Sequence, residues 1–378
     1  MNKKILFVSS SIQFYENFLY EIIHHLNQNN QIFIVTNIDN QSFNFNSVNL
    51  KNINFSRSFN PLKDLTTSFQ LASYIKVLRP DIIISSSLKG GLVTTLANLF
   101  FQIPRIHILT GMLWSDRRNS LLNRIAKIID FIIIKCSKLI YLDSKSQIDF
   151  LLHHKVSKNK LSLIANGSMR GVNLNKFKYN KTDIQIKKKK YNLSNQTLIL
   201  LFLGRISAEK GIKTYLSSIK ELLNEGYDIK GLIVGRDEKD ILKKYRKKDL
   251  NFNQYFQYFE YTNQPEFFLQ LADIVLIPSS REGFCQVAIE ASACEIPVVG
   301  FDVIGLKDSI KQNESGFLVP YNDMGKFKEK IKLLLEDGNL RKQMGKKGRE
   351  FVKDKYSQDE IIKKFTYQLE DDLQKLCK

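Results

Sequence analysis

The sequence predicts an α/β protein of two doubly wound domains, each a parallel sheet covered by helices on both faces. Three observations predict it. The 378 residues exceed one typical domain and suit two of about 190. Short apolar runs alternate with helical patterns along the chain, the mark of a parallel sheet. The alternation breaks once, in a polar stretch near the middle, and then resumes. A hydrophobic content of 43% is enough for two cores.

In the first half, strands are expected near 5–9, 32–36, 81–85, 105–109, 139–142 and 161–164. Helical patterns such as 16–26 and 65–77 lie between them. The polar stretch 171–195 reads as a linker, and its four lysines at 187–190 as a solvated linker or helix start. Strands resume near 198–203, 231–234, 274–277, 298–300 and 316–319. A last helical pattern, about 359–376, has no strand after it. The expected domains are therefore 1–170 and 196–358, followed by a terminal helix over 359–378.

The most informative pair of residues is Glu282 and Glu290, in the segment 281–299 (REGFCQVAIEASACEIPVV). The apolar strand near 274–277 precedes it, and a helical pattern starts at about Gln286. One carboxylate thus lies in a loop and the other a turn inside the helix. Free backbone N–H groups and the helix dipole favour a phosphate at such an N-terminus. The acids would flank that phosphate, since a carboxylate accepts two hydrogen bonds from a vicinal diol.

Cations for the phosphate occur about 80 residues earlier. The strand near 198–203 ends in Gly204-Arg205 and is followed by Lys210-Gly211 and a helix from about Ile212. Open α/β sheets bind ligands at the carboxyl ends of their strands. Arg offers a planar fork to phosphate oxygens and Lys a point charge. Lys near the positive end of a helix dipole makes sense beside an anion. A ligand carrying a diol, a diphosphate and a second diol is a nucleotide sugar.

Composition removes several alternatives. Cys136, Cys285, Cys294 and Cys377 have no CxxC or other ligand spacing, so a reduced, cytosolic setting is expected. The chain opens directly on a strand pattern rather than a signal peptide. Its apolar runs fall short of the ~20 residues a membrane span needs. No GxGxxG follows a strand, which argues against a dinucleotide oxidoreductase. The formal charge of +19 leaves three readings: nucleic acid, an anionic membrane with diphosphate-bearing substrates, or compositional bias without a partner. The bases are scattered and no nucleic-acid-binding motif appears, so nucleic acid is not expected. The best membrane candidate is 117–138, where Lys and Arg punctuate an apolar helix. Its plainer reading is a core helix with snorkelling bases.

These motifs resemble the retaining GT-B glycosyltransferases of family 4. The resemblance rests on Gly204-Arg205 with Lys210-Gly211, on Glu282 with Glu290, and on the segment 305–320 (GLKDSIKQNESGFLVP). It covers roughly 197–320, with a weaker match through the first half. It implies two Rossmann-like domains facing a central cleft, with the terminal helix crossing back to the N-terminal domain. By resemblance, Arg205, Lys210 and the backbone around Phe284, Cys285 and Gln286 stabilise the diphosphate leaving group. Glu282 binds the donor sugar and Glu290 the ribose, and Gly204 and Gly283 belong to the donor-binding set. Attack comes from the face the diphosphate leaves, and no covalent carboxylate is required. The sequence has no Asp-x-Asp to hold a divalent metal, so neither metal nor cofactor is expected.

The N-terminal half resembles enzymes of bacterial capsule, O-antigen and related glycans. That implies an acceptor glycan on undecaprenyl diphosphate and a place on the inner face of the cytoplasmic membrane. Ser10, Ser11, Thr110 and Gly111 are the expected acceptor side. An N-acetylhexosamine on UDP is the expected donor, with GDP-mannose an alternative. Two other classes stay open: a GT-B nucleotide-sugar epimerase, and a non-catalytic basic adaptor for membrane or polyanion.

The chain departs from the family pattern in places. Ser9-Ser10-Ser11 stands where relatives often carry glycine, and Thr110-Gly111 where many have His-Gly. His107, three residues earlier on an apolar strand, reads as a core histidine. Glu295 and Asn313 take positions usual for glycine. His24-His25 and His153-His154 read as helix-surface pairs without ligand spacing.

Overall fold

The computed structural model describes residues 2–38, 48–56, 60–117, 120–191, 193–194 and 196–377. The chain divides into two compact units. The first comprises 1–170 together with 361–378, and the second 171–360.

The first unit holds a seven-stranded parallel sheet in the order β3-β2-β1-β4-β5-β6-β7. Its strands are β1 (Lys4–Val8), β2 (Gln31–Thr36), β3 (Asn49–Asn52), β4 (Ile82–Ser86), β5 (Arg105–Leu109), β6 (Leu139–Leu142) and β7 (Leu161–Leu163). Its helices are α1 (Ile12–Phe14), α2 (Tyr20–Leu26), α3 (Pro61–Leu78), α4 (Leu88–Ala97), α5 (Leu121–Cys136) and α6 (Lys145–His153). Strands β1, β4, β5 and β6 are buried on both sides, which explains their apolar runs. Alternate residues of β1 serve opposite cores. Ile5 and Phe7 pack with Tyr15, Leu19 and Ile22, whereas Leu6 and Val8 pack with Leu71, Ile75 and Val93.

The second unit contains a six-stranded parallel sheet ordered β10-β9-β8-β11-β12-β13. These strands are β8 (Leu198–Leu203), β9 (Ile229–Val234), β10 (Phe256–Phe259), β11 (Ile274–Ile277), β12 (Val298–Phe301) and β13 (Gly316–Val319). Around them stand α7 (Lys181–Lys190), α8 (Ile212–Asn224), α9 (Ile241–Lys248), α10 (Phe252–Tyr255) and α11 (Pro265–Leu271). After these come α12 (Gln286–Ala293), α13 (Leu306–Ser309), α14 (Met324–Glu336) and α15 (Gly338–Tyr356). The last helix, α16 (Gln358–Leu376), enters the first unit, where Phe365, Leu369 and Leu373 join the core that contains Ile5 and Phe7.

The structure differs from the sequence reading at several points. Two strands were not expected, β3 and β10, each at a sheet edge. Asn49-Leu-Lys-Asn has too little apolar alternation to read as a strand, and β10 hides in an aromatic run. The helix expected over 16–26 begins as a π-helical turn, Tyr15–Leu19. The lysines at 187–190 lie on α7 rather than in a solvated tether. Lys188 is buried, 3.8 Å from Asp273, whose carboxyl is raised by burial against the pull of that lysine. The side chain of Lys187, and Asn192 and Asn195 of the expected linker, lie outside the described residues. Glu295 and Asn313 adopt φ of 63° and 62°, the left-handed conformation that glycine usually supplies.

Candidate functional site

The strand order of the second unit puts β8 beside β11, so the loops leaving their carboxyl ends meet. Lys210 Nζ lies 2.7 Å from both Glu282 carboxylate oxygens. The Glu282 side chain is 8% exposed and that of Lys210 28%, so this pair is half shielded from water. A second ion pair joins the same loops, Arg281 Nη2 to Glu209 Oε2 at 2.7 Å. The amide of Ser280 adds a bond to the Glu209 carbonyl at 2.8 Å.

Glycine allows these loops to touch. Gly211 has φ +75°, and a Cβ there would stand 1.9 Å from the Pro278 carbonyl oxygen. Gly305, at φ +80°, presses on the next loop, where a Cβ would come within 2.1 Å of the Gly283 oxygen. Gly204 carries φ +145°, and its carbonyl lies against Gly235 at the end of β9.

Arg205 takes a different partner from Lys210. Its guanidinium is exposed and 3.7 Å from Glu238, on the loop after β9. Glu290 is 3% exposed on α12, one helical segment beyond Glu282. Cys285 stands at the N-cap position of that helix without a side-chain capping bond, and burial first and Glu282 second push its thiol well above the ordinary range. It is therefore no nucleophile at neutral pH. Gln286 is engaged already: its amide N–H donates to the Phe284 carbonyl at 3.0 Å and its side chain to the Gly171 carbonyl at 2.7 Å. Glu209 and Arg281 were not singled out from the sequence, and Gly305 only as the start of the 305–320 motif. The Arg-Glu-Gly run before Phe284 was the available signal for Arg281.

In the first unit, β1 and β4 flank the point where the strand order reverses, the usual ligand crevice of such sheets. Ser10 Oγ and Ser87 Oγ meet there at 3.0 Å. Ser87 has φ 63° and ψ 155°, a conformation L-residues rarely adopt, and its side chain caps Gly90 N–H on α4. Ser11 precedes α1, and Thr110 and Gly111 follow β5, half-buried. Ser87 was the missed residue here, signalled by three serines in a row followed by Leu-Lys-Gly-Gly. His107 is buried, with Nδ1 2.9 Å from Ser85 Oγ. Burial, with Arg105 adding to it, holds its imidazole down at about 3, so the ring stays neutral in the fold.

His153 is exposed at the end of α6, as its place on a helix surface predicts, with His154 half-buried at the C-cap. The loop after β5 brings Asp116 to His153 and His154, with ligand-capable atoms within 4.8 Å of one another. His154 Nε2 lies 3.1 Å from Asp116 Oδ2. Spacing along the chain could not reveal this, because Asp116 arrives from another element. Lys127 Nζ, 3.3 Å from His154 Nδ1, already supplies a cation to the cluster.

Comparison with known proteins agrees with this architecture. Residues 15–168 match the family profile Glycosyltransferase Family 4, and 183–351 match Glycosyl transferases group 1. The chain belongs to the family 4 glycosyltransferases and has their GT-B fold of two Rossmann-like domains. It is 29% identical over 318 residues to the capsular polysaccharide biosynthesis glycosyltransferase CapM of Staphylococcus aureus, covering 79% of this chain and 80% of that one. Identity is 27% over 332 residues to N,N'-diacetylbacillosaminyl-diphospho-undecaprenol alpha-1,3-N-acetylgalactosaminyltransferase of Campylobacter jejuni, covering 84% and 85% of the two chains. Among solved structures, Anabaena HepE in complex with UDP and glucose superposes with a TM-score of 0.80 at 16% identity, over 98% of this chain and 100% of that one.

Proposed function

We propose that this enzyme transfers a sugar, with retention of anomeric configuration, from a nucleotide-diphosphate sugar to a lipid-linked glycan. The observation that carries the reading is the Lys210–Glu282 pair at the joined mouths of β8 and β11, with Glu290 buried on the following helix. An ammonium and two carboxylates in this order suit a diphosphate flanked by two diols.

The chemistry needs charge stabilisation where it develops, on the β-phosphate of the departing nucleotide. Lys210 and Arg205 take that role. Glu282 accepts hydrogen bonds from the donor sugar's hydroxyls and Glu290 from the ribose. Donor binding then exchanges partners: Lys210 turns from Glu282 to the diphosphate, and Glu282 turns to the sugar. The acceptor hydroxyl attacks the anomeric carbon from the face the diphosphate leaves, and its proton passes to that leaving group. The acceptor lies by the Ser10–Ser87 crevice and Thr110-Gly111. Two cations neutralise the diphosphate, so the reaction proceeds without a divalent metal.

The relatives support the substrate classes. The Campylobacter jejuni enzyme is named for an undecaprenyl diphosphate acceptor and an N-acetylgalactosaminyl group, and HepE was solved with UDP. An N-acetylhexosamine from UDP is accordingly the proposed donor. The apolar and basic α5 holds the enzyme against the anionic membrane bearing the acceptor. No helix among the described residues is long and apolar enough to cross a membrane.

Thermal-shift titration with UDP, GDP, ADP and CMP tests the donor site, using wild type and Glu290→Ala. Saturable stabilisation by one nucleotide, lost in the variant, is expected. Equal stabilisation of both proteins would remove Glu290 from the pocket.

A further inference from the structure

The outer surface of the first unit carries an uneven distribution of charge that neither the donor site nor the fold requires. Helices α3 and α5 lie in one layer, both packed on α4. On α3, Leu62 is 79% exposed and Phe69 63%, with Leu65 on the same face. On α5, Leu121 is 73% exposed and Ile128 59%, with Ile132 continuing the stripe. Between them no residue of α4 is fully exposed, so the layer shows two apolar ridges with a recessed helix between. A soluble protein rarely leaves so many large apolar side chains in water without a partner.

Charge identifies that partner. Both carboxylates of these two helices are buried. Asp64 is engaged with Lys89 and Ser56, and Asp130 with the Trp114 indole. The exposed charged residues are Lys63 and Lys76 on α3 and Arg124 and Lys135 on α5, all positive. Apolar ridges studded only with cations fit an anionic bilayer, where the ridges enter the headgroup boundary and the bases meet lipid phosphates.

The ridges also have a direction. Lys4 Nζ bonds the Leu78 carbonyl and Lys138 N–H the Arg105 carbonyl, which fixes the carboxyl ends of α3 and α5 at the start of β1 and β5. The amino-terminal halves, with Leu62, Phe69, Leu121 and Ile128, therefore lie toward the strands' carboxyl ends, the edge that holds Ser10 and Ser87.

We propose that α3 and α5 together form a two-ridge docking face for an anionic membrane. Insertion of both amino-terminal halves brings the lipid headgroup plane to the edge of the sheet where the acceptor is taken. This inference rests on the membrane reading above, which it extends from α5 alone to a pair of helices.

Co-flotation of the full chain with vesicles of phosphatidylcholine, with and without 30 mol% phosphatidylglycerol, tests it. Leu62→Glu/Phe69→Glu and Leu121→Glu/Ile128→Glu alter exposed positions only, and circular dichroism and the melting temperature check each fold. Each pair is expected to lower the phosphatidylglycerol-dependent bound fraction at least ~10-fold. If the α3 pair floats like wild type while the α5 pair does not, the two-ridge face is wrong and the α5 reading stands. Wild type that ignores phosphatidylglycerol vesicles overturns both. A wild-type dimer that the same pairs convert to monomer would assign the face to a second copy and likewise overturn the proposal.

Discussion

Lys210 Nζ grips both carboxylate oxygens of Glu282 at 2.7 Å, across 72 residues of sequence. The two groups are thereby held together where the loops leaving β8 and β11 meet. Lys210→Ala removes the charge proposed to meet the leaving diphosphate. It should lower kcat/KM for transfer at least ~100-fold, as loss of a transition-state donor does. Far-UV circular dichroism should not change. Steady-state transfer assays decide it, and near-wild-type activity would remove Lys210 from the reaction.

Gly211 gives a backbone prediction. At φ +75° a side chain costs about 1–2 kcal/mol, and the 1.9 Å approach to the Pro278 oxygen adds a clash with backbone that cannot rotate away. Gly211→Ala should therefore destabilise by at least ~2 kcal/mol in urea unfolding. Gly325, in the first turn of α14 with its nearest neighbour at 3.6 Å, is the control. Gly325→Ala should be neutral or stabilising by about 0.5 kcal/mol.

His107 predicts the sign of an acid limb in stability. Its imidazole stays neutral in the fold down to about 3, against an ordinary 6.5. Above 6.5 neither state takes up this proton and the residue adds no pH dependence. Below 6.5 the unfolded chain binds it and the folded protein does not, so stability falls as pH drops from 6.5 toward 3. The slope from this group approaches about 1.4 kcal/mol per pH unit. His107→Asn should flatten the acid limb of a pH series of urea melts by one proton's worth. A limb of unchanged steepness would show that the ring protonates in place.

Metal independence is open to a direct check. On the proposal that Arg205 and Lys210 neutralise the diphosphate, transfer by purified enzyme should continue at full rate after exhaustive EDTA treatment. Loss of activity that returns on adding Mg²⁺ or Mn²⁺ would move the neutralising role to an ion.

The alternation that betrayed the fold is local, and so it could be read. Each strand such as Leu198–Leu203 announces itself in six residues. What the sequence hid is non-local or energetic. Lys210 and Glu282 were both visible on loops, but their contact depends on β8 and β11 being neighbours, which no window of sequence encodes. Asp116 meets His154 for the same kind of reason. Edge strand β3 needs only one neighbour and little burial, so its composition carries no signal. The left-handed Ser87 is held by its surroundings, since nothing in a serine asks for φ 63°.

The membership of α16 in the first unit sets an order on biosynthesis. Phe365, Leu369 and Leu373 complete a core begun by Ile5 and Phe7. On a translating ribosome residues 1–170 emerge before the second unit, yet they lack one wall until α16, on the far side of that unit in sequence, has been made. The second unit, closed by the pairing of Val172 with Ser357, has all its residues available earlier. The first unit must therefore wait, with apolar surface uncovered, until the whole of the second unit and then α16 have been made.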